Sequence, residues 1–144
     1  MGAGRHNARM LLAGGIAAAI GAGLHVWIFL LESVWFGRPS VYRRFGLRSD
    51  DEARAVHGFA FNQGFYNLFL AVGAALGIAL MVRSGGPNGA DSSLFAGGRA
   101  IAMFACASMA AAGAVLISTD RRFAQAAAIQ IIPGLTAVVL LFLA

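Results

Sequence analysis

Lysine is missing from this sequence: its 11 basic residues are all arginine, set against 6 acids for a formal charge of +5. Charge of either sign is scarce, at 12% of residues, and it falls between apolar runs rather than inside them. A basic excess can mark a nucleic-acid binder, but no basic helix face and no aromatic-interleaved basic patch accompanies it, so no nucleic-acid partner is expected. Arginines in short connections instead set membrane topology and meet lipid headgroups. The single cysteine, Cys106, rules out a disulfide within the chain; placed mid-way through an apolar run, it reads as a buried, inert thiol. No P-loop, dinucleotide fingerprint, Cys-x-x-Cys pair or nucleophile elbow is present, so the sequence names no cofactor and carries no strong catalytic signature.

What the chain has in excess is apolar residues. They make up 59% of its 144 residues, and the mean hydropathy is +0.74. Four long apolar runs predict an all-α integral membrane protein, a four-helix bundle running up-down-up-down. The helices are expected at about residues 9–36, 50–83, 94–118 and 122–143, within one transmembrane domain spanning 1–144. The first run, from Met10 to Leu31, is too long for a secretory h-region of roughly 7–15 residues and reads as a retained span. Ser49-Asp50-Asp51-Glu52 is a capping-box pattern that starts the second helix, and Gly73-x-x-x-Gly77 predicts a close approach further along it. Ser84 to Ser93 is a polar hairpin loop, and Thr119 to Arg122 a tight turn. Pro133 lies inside the fourth helix, where neighbours in a membrane can satisfy the carbonyl it frees. Arginines favour the connections after the first and third helices as cytoplasmic, which places the protein in the cell (inner or plasma) membrane as a multi-pass protein.

Polar residues within these runs are the candidates for function, because each costs free energy in hydrocarbon unless it meets a partner. The densest group is Asn62-Gln63-Gly64-Phe65-Tyr66-Asn67. At roughly 100° per residue, Asn62, Tyr66, Gln63 and Asn67 span about 140° of the second helix, with Leu68, Phe61, Val72 and Phe65 opposite. This wedge is expected to face the bundle interior and the bulky back the lipid. On the first helix His25 and Glu32 share a face with small residues, and Gln130 on the fourth shares one with Gly134 and Ala137. Counting residues along the spans sets all of these in one half of the bilayer. The prediction is a polar chamber lined by His25, Glu32, Asn62, Gln63, Tyr66, Asn67 and Gln130.

These residues also carry a family resemblance. His25 with Glu32 and Trp35 seven and ten positions on, then Asn-Gln-Gly-x-Tyr-Asn-x-Phe-Leu-Ala from Asn62 to Ala71, then Gln130 shortly before Pro133, resembles the domain-of-unknown-function 1304 family. One departure is that Ile131-Ile132 stand where a glycine beside the Gln is expected. The resemblance implies a short bacterial integral membrane protein with four spans, and it implies no activity.

For a purely structural role, the amides would fix helix packing, at about 0.6 kcal/mol per interhelical hydrogen bond. Three functional expectations stand beside it. One is binding or movement of a small amphiphilic or polar ligand in the chamber. A second is a cofactor-free membrane enzyme acting on a hydrophobic substrate, with His25, Glu32 and Tyr66 as the catalytic candidates. The third is an accessory or assembly subunit. The partners expected are the lipid bilayer and either a homo-oligomer or other membrane subunits. A metal site from His25, Glu32 and His57 is not expected, since the spacing holds no i, i+4 pair and His57 points away from the wedge on its own helix.

Overall fold

A chain with four apolar runs and short polar joints must satisfy its backbone within each run, which in lipid means helices. The computed structural model describes residues 2–144 and is helical throughout apart from the joints. The first helix, α1, covers Gly2–Phe29 and continues as a π-helical turn, Leu30–Val34. A short helix α2, Pro39–Tyr42, follows with a 3₁₀ turn at Arg43–Phe45. Then come α3, Asp50–Arg83, α4, Ser92–Thr119, a 3₁₀ turn at Arg121–Phe123, and α5, Ala124–Leu143. Among the described residues no strand occurs, and four helices are long and apolar enough to cross a membrane.

The first span starts earlier than the expected residue 9, because polar residues 2–9 continue the helix rather than precede it. Its far end holds the other difference: an α-helix expected to reach residue 36 changes to the wider π-turn five residues before Trp35. The capping box forms with a shift. Ser49 Oγ accepts from Glu52 N at 3.2 Å, while Glu52 Oε2 accepts from Arg48 N at 2.7 Å, one residue ahead of the N-cap. Asp91 caps α4 by accepting from Leu94 N at 2.8 Å. Asp120 accepts from Arg122 N at 2.8 Å in the turn before α5.

The chain forms two compact units, one of residues 1–24 with 70–144 and one of residues 25–69. In the first, segments of four helices pack through small side chains. Ala17, Ala18, Ala74, Ala105 and Ala137 surround the fully buried Cys106 and Met109, and a second cluster joins Met81, Phe95, Ala102 and Leu141. Lipid tails are as apolar as leucine, so close backbone approach rather than exclusion of grease holds such helices together. A methyl at Gly77 would stand 2.5 Å from Ala102 N, and one at Gly98 would stand 2.8 Å from Gly77 O. Gly73, the other half of the expected motif, meets only an ordinary 3.5 Å neighbour, so the true partner of Gly77 is Gly98 on α4.

The second unit comprises the end of α1, the π-turn, α2 and the first five turns of α3. Phe36, Tyr42 and Ala53 form its core, with Phe45, Leu47 and Ala60 packed against them.

Candidate functional site

The second unit carries most of the polar residues singled out in the sequence, and its geometry is set by one glycine. A methyl group at Gly64 would collide with Ser33 Oγ and stand 3.1 Å from both Glu32 Cβ and Ser33 N. With only hydrogen at that position, the π-turn lies directly on α3. Ser33 Oγ donates to Phe61 O at 2.8 Å, tying the turn to the backbone of the facing helix. The π-turn itself is closed by Trp35 N donating to Leu30 O at 2.8 Å. Such a turn adds a residue to the helical circuit and is kept where surrounding contacts compensate for its poorer geometry.

One turn along α3 from Gly64, the buried side chain of Asn67 reaches the same place. Its Nδ2 donates to Glu32 Oε2 at 2.9 Å and to Gln63 O at 3.1 Å. Both amide hydrogens are thereby used and the carboxamide is locked, so the Glu32 carboxyl is held by one oxygen. Glu32 is partly exposed, and its other oxygen is left to accept from something else. Phe29 packs edge-on against Phe65 with ring centres 5.2 Å apart, and Phe61 lies 5.0 Å from Phe65 on the flank.

The expected inward wedge does not form. Asn62, Gln63 and Tyr66 are exposed, and only Asn67, at the wedge's edge, turns inward. The face of α3 that packs is instead the small one: Ala53, Gly64 and Asn67 are buried and Ala60 half-buried, clustered near 140–200° at about 100° per residue from Asn62. Close backbone approach decides which face turns in, and it overrides polarity. Ser33 and Gly64 are therefore site residues that a search for polar groups passes over, although the run of small residues on α3 carries the signal. Of the expected bulky back, Phe61 and Val72 are exposed, whereas Leu68 and Phe65 are half-buried, Phe65 against Phe29.

His25 also belongs to this unit and is enclosed completely. Gln130 lies on α5 in the other unit, where its Nε2 turns back to Ala126 O at 3.5 Å. His57 is exposed, in ring contact with Phe36 at 6.2 Å. Among the described residues no group of three or more His, Cys, Asp or Glu is placed to hold a metal ion.

The joint between the spans is basic and aromatic. Arg38 stacks over Trp35 at 5.4 Å from the ring centre, and Tyr42 Oη donates to Asp50 Oδ1 at 2.7 Å. That hydrogen bond raises the Tyr42 pKa, because losing the proton would set a phenolate against a carboxylate. Arg54 pairs with Asp51, and a cleft of about 140 Å³ opens between Gly37, Asp50, Ala53, Arg54 and His57. In the other unit a groove of about 430 Å³ is greasy, lined by residues such as Leu11, Ile16, Ile78 and Phe95, while one of about 570 Å³ at the turn before α5 is lined by Ser118, Thr119, Asp120 and Arg121.

Comparison with curated proteins and comparison with solved structures each return no match. A family model described as "Protein of unknown function (DUF1304)" matches residues 19–142, a stretch that takes in the π-turn, Glu32, Gly64 and Asn67. The chain is thus a multi-pass membrane protein that belongs to the DUF1304 family.

Proposed function

We propose that this protein binds a small amphiphile whose cationic or hydrogen-bond-donating head sits on Glu32 and whose tail lies in the hydrocarbon. The observation that supports this reading is the Asn67–Glu32 hydrogen bond of 2.9 Å, which orients a carboxyl by one oxygen and leaves the other accessible. Depth points the same way. The 34 residues of α3 extend about 51 Å, well beyond a hydrocarbon core of about 30 Å. Counting roughly 20 residues back from Arg83, or on from Arg9, ends near Gln63 and near Phe29. Glu32 and Asn67 then lie where headgroups meet acyl chains, the level at which an amphiphile changes from polar to apolar.

Binding is favoured over catalysis by His25. A general base must come within hydrogen-bond reach of substrate, and this imidazole is wholly enclosed. The test uses a brominated long-chain alkylamine added to the protein in phosphatidylcholine nanodiscs, with tryptophan fluorescence as the readout. Trp35 follows the π-turn directly, so saturable quenching is expected, weakened at least tenfold by Glu32→Gln and by Asn67→Leu. Quenching that is linear in the amphiphile, or unchanged in both variants, would overturn the proposal.

A further inference from the structure

Where α3 ends and α4 begins, the fold holds a cation without a counter-charge. Arg99 is half-buried, while every other arginine among the described residues is exposed. No carboxylate pairs with it, and its guanidinium lies over the Phe95 ring at 6.0 Å, one turn back toward the start of α4. The side chain thus climbs toward the membrane surface, as long cations do to keep their heads at the interface. A methyl at the neighbouring Gly98 would stand 2.8 Å from Met81 N, so Arg99 starts level with Met81, two residues before the end of α3. Met81 and Phe95 both line the apolar groove of about 430 Å³ between α1, α3 and α4. That groove begins at Gly86, in the loop after α3, and follows α1 from Leu11 to Ala19, about 12 Å at roughly 1.5 Å per residue. Arg9 precedes Leu11 by two residues and Arg83 follows Val82, so basic residues border its outer end. Asp91, the one acid at this end of the spans, is taken up by Leu94 N and Ser93 Oγ.

We propose that this groove is a site for an anionic phospholipid, with an acyl chain along α1 and the phosphate on Arg99. A guanidinium meets a phosphate through two parallel N–H···O bonds, and among the described residues no acceptor occupies those donors. Charge selects the occupant. A second copy inserted with the same topology would bring its own arginines to this height, setting like charge against like. Water suits the guanidinium but not the apolar walls. A zwitterionic lipid offers the same phosphate yet carries a cation beside it, toward Arg9 and Arg83, whereas an anionic head adds none.

The groove shares no residue with the Glu32 site, so Glu32→Gln leaves lipid binding here unchanged. The test is native mass spectrometry of the full chain released from mild detergent micelles. The micelles hold equal amounts of phosphatidylglycerol and phosphatidylcholine with the same acyl chains, and the readout is the ratio of the two lipid adducts. Arg99→Gln should lower that ratio about fivefold, the factor one arginine contributes near an anionic surface. A second variant, Gly15→Leu, keeps every charge and fills the groove, where a methyl at Gly15 meets nothing within 4 Å. It should lower the ratio about as far, and the double variant should lose no more than either alone, because both act on one site. A ratio unchanged in either single variant, or losses that multiply in the double variant, would overturn the proposal. So would an equal loss in Arg121→Gln, whose side chain is exposed at the turn before α5.

Discussion

Asn67 and Glu32 make a contact whose worth can be separated into hydrogen bond and charge. Asn67→Leu keeps the volume but removes both donors, leaving the held oxygen of Glu32 without its partner. The expected cost is about 1–2 kcal/mol, above the average membrane hydrogen bond because an acceptor is stranded. Glu32→Gln still presents a carbonyl to Asn67 Nδ2, so its loss should stay within about 0.5 kcal/mol. Thermal unfolding in a mild detergent distinguishes them, and equal losses would mean that charge rather than the hydrogen bond holds the hairpin. Gly64→Ala should cost more, about 1–3 kcal/mol, since its methyl meets Ser33 and the Glu32 stem and displaces the Ser33–Phe61 bond. At this scale the sequence was half legible. An acid and a cluster of amides inside apolar runs announce themselves by their cost. Their facing was not legible, because a wheel at a constant 100° ranks residues by polarity, and the helices settled on their smallest side chains. The π-turn adds a second error, since it widens the circuit under Glu32 and no residue in Leu30–Val34 advertises it.

Neighbouring glycines on α4 give the sharpest contrast among the elements. A methyl at Gly97 meets nothing within 4 Å, while one at Gly98 would stand 2.8 Å from Gly77 O and Met81 N, both backbone atoms that cannot swing away. Gly97→Ala should therefore stabilise by up to about 1 kcal/mol through helix propensity. Gly98→Ala should destabilise by about 1–3 kcal/mol or more, because α3 and α4 must separate. The same thermal assay reads both, and matching shifts would contradict the packing described. Helix starts supply a pH dependence. Asp91 is held below its ordinary value of 3.8, chiefly by the Leu94 N–H it accepts, and Asp120 likewise by the Arg122 side chain. A carboxylate with a lowered folded-state pKa stabilises fully above the unfolded value and loses that contribution as pH falls through the folded one. Stability should hold from neutrality down to about pH 4 and decline below it. Asp91→Asn, which still caps but does not titrate, should flatten part of that decline; an unchanged decline would assign it elsewhere. Both caps lie in joints whose turn and polar residues gave away the helix ends, which is why the boundaries of α3 and α5 fell within two residues of expectation.

For the whole molecule, an even number of spans puts both ends of the chain on one side. The connections after the first and third spans hold Arg38, Arg43, Arg44, Arg48, Arg54, Arg121 and Arg122, against Arg5, Arg9, Arg83 and Arg99 on the other side. Reporters fused at either end should therefore both read the non-cytoplasmic side, and opposite readings would remove a span. Architecture on this scale was the most legible part, since length and hydropathy dictate it directly. The gathering of polar groups was less so: Gln130 falls in a different compact unit from Glu32 and Asn67, and depth counts alone carry no information about which helices meet. The account turns on Glu32 as the point where a ligand's head is taken up. Among the acids it alone lies within an apolar span; Asp50, Asp51, Glu52, Asp91 and Asp120 sit at or before helix starts. Labelling with a hydrophobic carbodiimide that partitions into the bilayer, read by peptide mass spectrometry, addresses it directly. Modification should fall on Glu32 and be suppressed saturably by a long-chain alkylamine but not by an alkyl sulfate of equal length. Labelling of Glu32 that is indifferent to the alkylamine, or suppressed equally by both amphiphiles, would contradict the account.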